Sequence, residues 1–327
     1  MKHKYLLILA AIAAAAVSCN TKDAPVVMGE ETATVQVQIR TAPLTKSDAP
    51  AFETDVKSFD LLVYDAESRR LLHREKTSSD ASFMMKMIPG RKRVVAFANG
   101  DDVISGTASL PLMDDLGGLY YPFQIHNVSD NKLVMSDLSG FNESIDISEG
   151  ANNVISVNLK RFPCRIRVHS ITPAFHSVTV QQLSYGNAWL CNIPSRYALD
   201  GTLDDAAATR KNPVKSEITA ANSFGGGLTF QALSTQTDGS YTLADAANLY
   251  CYPGSDVYLG FSANINNVTY YYALPVGPLA SNTTYDVDIL LHNLGSEDPD
   301  NPAINTGVSA QISVLPWESG QSVTETL

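Results

Sequence analysis

Short segments in which apolar and polar residues alternate occur along the whole of this sequence. The clearest is residues 34–40, where Val35, Val37 and Ile39 alternate with polar side chains, which is the two-residue period of a half-buried strand. No segment of more than about ten residues keeps a helical period. The 20 glycines and 16 prolines provide turns between strands. The chain is therefore predicted to be mostly β, organised as two β-sandwich domains in tandem.

The first residues are a targeting signal that precedes the fold. A basic start is followed by an apolar run, Tyr5 to Val17, which suits a signal peptide but is too short to span a bilayer. The sequence around Cys19 resembles the lipobox of bacterial lipoproteins, in which this cysteine receives the lipid. An ordinary cleavage site with an incidental cysteine is the alternative. We expect a lipoprotein signal peptide over residues 1–19 and a polar tether over residues 20–33.

The charge of the chain limits its partners. The formal net charge is −11, and it becomes more negative once the two lysines of the leader are removed. An acidic surface of this kind keeps an exposed protein soluble and repels phosphate backbones. We therefore expect no nucleic-acid partner.

The sequence contains no recognisable catalytic or metal-binding constellation. Its six histidines are scattered, and it lacks a serine nucleophile elbow, a phosphate-binding loop and a dinucleotide-binding glycine motif. Glu297, Asp298 and Asp300 could in principle hold Ca²⁺. The two prolines of their segment and the absence of a fixed ligand spacing favour a rigid acidic linker instead. We expect neither enzymatic activity nor a cofactor or metal.

Three cysteines follow the leader, namely Cys164, Cys191 and Cys251. Their spacing fits no metal site, and their odd number leaves at least one thiol outside a disulfide. Cys191 and Cys251 could form a disulfide. Alternatively, all three are small buried residues in strands. The sequence leaves both alternatives open.

Local patterns predict two hairpins and one less regular stretch. The β-rich segment 59–64, with the residues after its turn, predicts the first hairpin, and the dipeptide Asn266–Asn267 predicts the second. The mixed segment 101–146 predicts short helical turns and loops. A break at Pro163 between two strand patterns predicts the domain boundary.

The predicted boundary divides the chain into three parts after the tether. An N-terminal β-sandwich domain covers residues 34–160, and a C-terminal one covers residues 161–295. Residues 296–327 form a linker and a last strand. In this last strand the apolar residues again alternate with polar ones, at Val308, Ala310, Ile312 and Val314.

The chain thus has a strand at each end, and a polar segment joins each strand to the rest. Both strands could pair within their own molecule. Alternatively, release of the first strand would open an apolar groove for the C-terminal strand of a neighbouring molecule. A head-to-tail contact of this kind does not close and builds a filament. The residues alone do not separate the two alternatives.

Several short motifs occur in an order that resembles a known family. They are the lipobox cysteine and the segments ATVQVQIRT, VKSFDLLVYDAESRRLL, IPGRKRVVAFANG, KRFPCRIRVHSI, YDVDILLHNLGSEDPDNP and VLPW. Together they resemble the FimA/Mfa-type fimbrillins, the type V pilins of Bacteroidetes-type bacteria. The resemblance implies transthyretin-like sandwich domains, a precursor attached to the outer membrane by its lipid, and a structural role in an extracellular fimbrium. It also implies a part in adhesion or biofilm formation.

The resemblance implies a route of assembly as well. In that family a protease cuts after a basic residue in the loop that follows the first strand, and the subunits then polymerise by donor-strand exchange. The corresponding loop here is residues 41–55. Cleavage is expected after Lys46, or less favourably after Arg40, which still lies in the strand pattern. Because Lys46 stands where strict arginine specificity would need an arginine, a lysine-tolerant protease is expected.

We name the two exchanging segments by their expected roles. The plug strand is residues 34–40, and its inward residues are Val35, Val37 and Ile39. The donor strand of the next subunit carries Val308, Ala310, Ile312, Val314 and Trp317. The implied partners are other pilin subunits, including anchor and tip subunits, and a receptor on a host or bacterial surface.

These features favour a shaft subunit of the pilus over two other roles. An anchor subunit would keep its plug strand and would not be cut at Lys46. A monomeric surface lipoprotein would bind glycans through aromatic residues such as Tyr270 to Tyr272.

Overall fold

The computed structural model describes residues 32–41, 53, 55–78, 82–100, 112–122, 133–150, 152–194, 196–202, 230–233, 235, 237, 239–240, 247–304, 306–316 and 323–326. Cys19, Lys46 and Trp317 lie outside these ranges, as do the predicted leader and most of the tether and of the cleavage loop. Among the described residues, no helix is long and apolar enough to cross a membrane.

The described residues of the N-terminal half form nine strands. They are β1 (Ala33–Thr41), β2 (Phe59–Asp65), β3 (Leu71–Thr77), β4 (Phe83–Met87), β5 (Gly90–Ala98), β6 (Tyr120–Pro122), β7 (Met135–Asp137), β8 (Ile145–Ile147) and β9 (Asn153–Arg161). Two short 3₁₀ helices, Met113–Gly118 and Ser139–Phe141, lie between them. The prediction of helical turns and loops over residues 101–146 was therefore only partly right. It missed three strands, each only three residues long and thus too short to show a period.

Eight of these strands form one sheet. Its order is β3-β2-β5-β7-β9-β1-β4, and β8 pairs with β5 beside this path. β2 and β3 form the predicted hairpin. β9 shows why these residues form strands, because Ile155, Val157 and Leu159 are buried while the residues between them are exposed. The buried faces of β1, β2, β4, β5, β7, β8 and β9 share one hydrophobic cluster.

Eleven further strands lie in the part of the C-terminal half that the structure describes. They are β10 (Cys164–Pro173), β11 (Leu183–Cys191), β12 (Arg196–Ala198), β13 (Phe230–Ala232), β14 (Ala247–Cys251), β15 (Tyr258–Ile265), β16 (Val268–Pro275), β17 (Thr283–Leu291), β18 (Ala303–Ile304), β19 (Val308–Pro316) and β20 (Val323–Thr326). β15 and β16 form the second predicted hairpin. Asn266 and Asn267 at its tip have φ angles of 52° and 68°, the left-handed conformation that a tight two-residue turn requires.

Two five-stranded sheets build this half of the molecule. Their orders are β14-β10-β17-β19-β20 and β13-β11-β15-β16-β18. One hydrophobic cluster contains residues of both sheets, for example Ile166 and Val287 from the first and Phe261 and Tyr272 from the second. The prediction of a mostly β protein with several sheets is confirmed.

The two halves meet through a two-stranded antiparallel sheet and an aromatic cluster. β6, from the N-terminal half, pairs with β12, from the C-terminal half. Phe162, between β9 and β10, stacks edge-on against Phe97 at a ring-centroid distance of 6.4 Å and against Tyr197 at 4.8 Å. Tyr252 then contacts Tyr197 at 5.6 Å. Phe162 and Pro163 connect β9 of the eight-stranded sheet to β10 of a five-stranded sheet. The domain limits remain a prediction.

Candidate functional site

The first strand lies inside a sheet. β1 pairs in parallel with β9 over Val35–Thr41 and antiparallel with β4 over Ala33–Val37. The side chains of Val35 and Val37 are fully buried, and Ile39 is partly buried against the same cluster. Around them lie apolar side chains of the two neighbouring strands, Met85, Met87, Ile155, Val157 and Leu159. We call the space that β1 fills between β4 and β9 the β1 groove.

The strand β4 depends on whatever occupies this groove. β4 is the last strand of the sheet order, and among the described strands β1 is its only partner. Without β1, both β4 and β9 would expose backbone donors and acceptors next to an apolar slot. An extended segment with an apolar residue at every second position could satisfy both edges and fill the slot.

The segment after β1 is held at both of its ends. β1 ends at Thr41, and the next described residue, Glu53, is fully buried. The Glu53 carboxylate accepts a hydrogen bond from Arg165 Nη1 at 2.8 Å and another from the Tyr250 hydroxyl. The Glu53 carbonyl accepts a third from Arg161 Nε at 2.7 Å. The eleven residues 42–52 thus connect a strand of one half to a buried anchor at the junction with the other.

Electrostatics supports the anchor at Glu53. Burial, reinforced by the neighbouring Glu53 carboxylate, raises the pKa of the Tyr250 hydroxyl well above its ordinary value. The phenol therefore stays protonated and donates to Glu53. The Arg165 guanidinium, which is itself almost completely buried, supplies the opposite charge. Nothing in the local sequence indicated this anchor, because its partners are more than one hundred residues away.

Replacing Glu53 by alanine is expected to lower the free energy of unfolding by about 3–5 kcal/mol, because it leaves the Arg165 charge buried without its carboxylate. Glu53→Gln should cost less, since an acceptor oxygen remains. The exposed Glu67 offers a matched control, and Glu67→Ala should change stability by no more than about 0.5 kcal/mol. Urea unfolding of the three variants measures these differences. Equal effects of Glu53→Ala and Glu67→Ala would show that the anchor contributes nothing.

The two predicted cleavage residues have different surroundings. Arg40 is exposed but belongs to β1, where its backbone lies opposite Asn158 of β9. A protease needs an extended, unpaired backbone, so Arg40 is accessible only if β1 first leaves the sheet. Lys46 lies outside the described residues, and it is the only lysine or arginine among residues 42–52.

The predicted donor residues belong to the core of the C-terminal half. β19 pairs antiparallel with β17 along its whole length, and β20 pairs with β19 on the other side. Val308, Ala310 and Ile312 are buried between the two sheets, and Val314 is partly buried. The plug and the predicted donor strand therefore occupy different sheets of the same molecule.

Two of the three tyrosines of the glycan-binding alternative are core residues, and the third is partly buried. Tyr272 is fully buried and stacks on Phe261, and Tyr270 is also buried. Tyr271 faces the opposite side of β16 and lies 6.4 Å from the ring of Trp189. These three residues do not form the exposed aromatic platform that a sugar would need.

Comparison with known families adds what the geometry leaves open. The model of the fimbrillin-A associated anchor proteins Mfa1 and Mfa2 matches residues 23–321. The chain belongs to this family. The resemblance to fimbrillins that the sequence motifs indicated is thereby confirmed, and the protein is a pilus-associated structural protein rather than an enzyme.

Several solved structures share the fold of this chain. A candidate cell adhesion protein of Parabacteroides distasonis has 12% identity and a TM-score of 0.61, with 88% of this chain and 98% of that chain covered. The fimbrillin FimA of Porphyromonas gingivalis has 11% identity and a TM-score of 0.58, with 87% and 97% covered. The tip fimbrial protein Mfa3 of the same species has 14% identity and a TM-score of 0.52, with 88% and 100% covered. No curated protein matches the sequence.

Proposed function

We propose that this fimbrillin is a pilus subunit that polymerises by strand exchange at the β1 groove. The observation that carries the proposal is the position of β1. This strand is buried between β4 and β9, yet only residues 42–52, with Lys46 among them, connect it to the rest of the fold. Cleavage after Lys46 would leave β1 held by noncovalent contacts alone, while Glu53 would still hold the new N-terminal segment.

The C-terminal strand of a second subunit fits the chemistry of the groove. Val308, Ala310, Ile312 and Val314 repeat the two-residue spacing of Val35, Val37 and Ile39. In its own molecule the strand β19 pairs with β17 and with the short strand β20, whereas in the groove it would pair with β4 and β9. Exchange would therefore give up the pairing with β17 and β20 in the donor, and it would satisfy two strand edges and fill an apolar slot in the acceptor.

The proposed precursor is an exported lipoprotein. Lipidation at Cys19 would hold it at the outer membrane until the cut releases the subunit into the fimbrium. Two β-sandwich domains, with the limits 34–160 and 161–295, would form the body of each subunit. Contacts between subunits along the fimbrium, and with a receptor on another cell, would support adhesion or biofilm formation.

An anchor subunit is the second candidate, because the matching family is described as anchor proteins. An anchor would keep β1 in place, so it would donate its C-terminal strand but would accept no strand in the β1 groove. The two roles differ at one bond, the peptide bond after Lys46. A shaft subunit is cut there during assembly, and an anchor is not.

A reversible lock on β19 tests the donor assignment. Leu290 and Ser309 lie directly opposite each other on β17 and β19, and Leu290 is exposed, so cysteines at both positions can form a cross-strand disulfide. We expect the oxidised Leu290→Cys/Ser309→Cys protein to be cut normally but to form no filaments, and dithiothreitol to restore them. Each single cysteine variant serves as a control. Filaments formed by the oxidised double variant would refute β19 as the donor.

A further inference from the structure

We propose that Cys164 and Cys251 form a disulfide in the exported protein, a covalent link that closes the chain between β10 and β14. The proposal rests on the proposed export, because disulfides persist in oxidising compartments outside the cytoplasm. It adds a modification site to the proposed assembly function.

The geometry of the two residues suits a disulfide. Cys164 begins β10 and Cys251 ends β14, and the two are direct partners in the antiparallel register of these strands. Directly opposed residues of antiparallel strands have Cα atoms about 4.5–5.5 Å apart, which lies within the range that a disulfide spans. The two Sγ atoms are already 3.6 Å apart. Rotation of the side chains is enough to bring them to bonding distance.

The third cysteine is placed elsewhere. Cys191 ends β11, in the other five-stranded sheet, and packs in a small cluster with Trp189. The sequence left a Cys191–Cys251 disulfide open, whereas the structure puts Cys164 beside Cys251. All three residues are nonetheless buried in strands, as the other alternative required.

The Cys164–Cys251 bond would form by thiol–disulfide exchange. The oxidant is a small-molecule or enzyme disulfide, such as oxidised glutathione. The thiolate of one cysteine attacks it to form a mixed disulfide and releases one thiol. The second thiolate then attacks the protein sulfur of the mixed disulfide, which forms the Cys164–Cys251 bond and releases the second thiol. The two protein thiols lose two protons and two electrons, and the oxidant is reduced to two thiols.

Burial sets the order of events. Both cysteines are fully buried, and burial raises the pKa of the Cys251 thiol well above its ordinary value. In the folded protein the Cys251 thiol therefore forms little thiolate, and neither sulfur is accessible to an oxidant. The bond therefore forms while β10 and β14 are coming together, and the finished core then protects it from reductants.

The link has a consequence for proteolysis. Between Cys164 and Cys251 lie Arg210, Lys211 and Lys215, which a protease that cuts after Lys46 and also accepts arginine could recognise. No lysine or arginine follows Lys215 in the sequence. A cut at this cluster would separate the chain into two pieces, each holding strands of the same sheet. The disulfide would keep the pieces joined, so the subunit would tolerate a protease that acts on its precursor.

The first test counts thiols in the full-length chain carrying Cys19→Ser. The protein is refolded in a buffer of reduced and oxidised glutathione, denatured with N-ethylmaleimide present, and weighed by mass spectrometry. We expect one alkylated thiol, that of Cys191. The mass should be about 2 Da below that calculated for the chain with one alkylated cysteine and with Cys164 and Cys251 as thiols, because the disulfide lacks two hydrogens. The additional Cys191→Ser change should leave no alkylated thiol. Three alkylated thiols after refolding would overturn the pairing.

Peptide mapping of the same sample needs no core variant that could misfold. The tryptic peptide Phe162–Arg165 should be linked to the peptide that contains Cys251, and a link to Cys191 would overturn the assignment. Because refolding in glutathione does not depend on export, this result is independent of the proposed function.

A second experiment tests whether the disulfide forms in the exported protein. The unaltered protein is recovered from the surface of its own cells and alkylated in the same way. Free Cys164 and Cys251 there would overturn the link in the exported protein.

A protease assay tests whether the disulfide holds the chain together after a cut at residues 210–215. Brief trypsin treatment of the oxidised protein, followed by electrophoresis, should leave the fragments on either side of residues 210–215 joined without reductant and separate them with it. The Cys251→Ser variant should give separate fragments in both lanes. Separation of the wild-type fragments without reductant would contradict the proposal.

Discussion

Replacement of Arg167 by methionine is expected to lower the free energy of unfolding by about 3–5 kcal/mol, the largest single-residue effect in the C-terminal half. Arg167 is almost completely buried on β10. Its Nε and Nη2 atoms donate to the two carboxylate oxygens of Asp286 on β17, at 2.7 and 2.6 Å. Removing the guanidinium leaves the Asp286 carboxylate buried beside an apolar side chain. Urea unfolding, followed by circular dichroism, measures the loss.

A double-mutant cycle separates the ion pair from the packing of its side chains. Arg167→Met with Asp286→Leu should recover most of the stability, because neither charge of the pair is then left buried without the other. Arg70→Met, at an exposed position, should change stability by no more than about 0.5 kcal/mol. A double variant as unstable as Arg167→Met alone would show that the pair does not act through its charges.

Deletion of residues 32–46 is expected to unfold the N-terminal half, since it empties the β1 groove. The loss removes both fully buried valines of β1 and the partner of β4, a cost of about 5 kcal/mol or more. A synthetic peptide of residues 33–41 should restore the fold, and a peptide of residues 308–316 should do so as well. The rise in unfolding temperature with peptide concentration measures both affinities.

Two altered peptides provide the controls for this experiment. Aspartate at Val37 in the first peptide, and at Ile312 in the second, should abolish the stabilisation, because each would place a charge in the apolar slot. Stabilisation by the 33–41 peptide but not by the 308–316 peptide would contradict the donor assignment. An unchanged unfolding temperature after the deletion would contradict the groove itself.

The sequence predicted those parts of the fold that depend on neighbouring residues. The alternation of Val35, Val37 and Ile39 predicted β1, and Asn266–Asn267 predicted a tight hairpin. Both signals are local, because a strand's period and a turn's φ angles depend on a few consecutive residues. The family resemblance likewise depended on short motifs, and the family match confirms it.

The parts that the sequence did not predict depend on contacts between distant residues. Nothing around Glu53 distinguishes a buried anchor from a loop residue, and its partners Arg165 and Tyr250 lie far along the chain. The pattern of β19 suits the β1 groove and β17 equally, and only the paired strands show that it docks on β17 in its own molecule. The pairing of Cys164 with Cys251 likewise required the register of β10 and β14.

Digestion of the intact precursor with a lysine-specific protease tests the central claim most directly. N-terminal sequencing should locate the first cut after Lys46, and electron microscopy of the digest should show filaments. The Lys46→Gln precursor, treated in the same way, should gain no new N-terminus between Arg40 and Asp48 and should stay monomeric. Absence of any new N-terminus between Arg40 and Asp48, or a wild-type precursor that is cut after Lys46 but remains monomeric, would contradict assembly through the β1 groove.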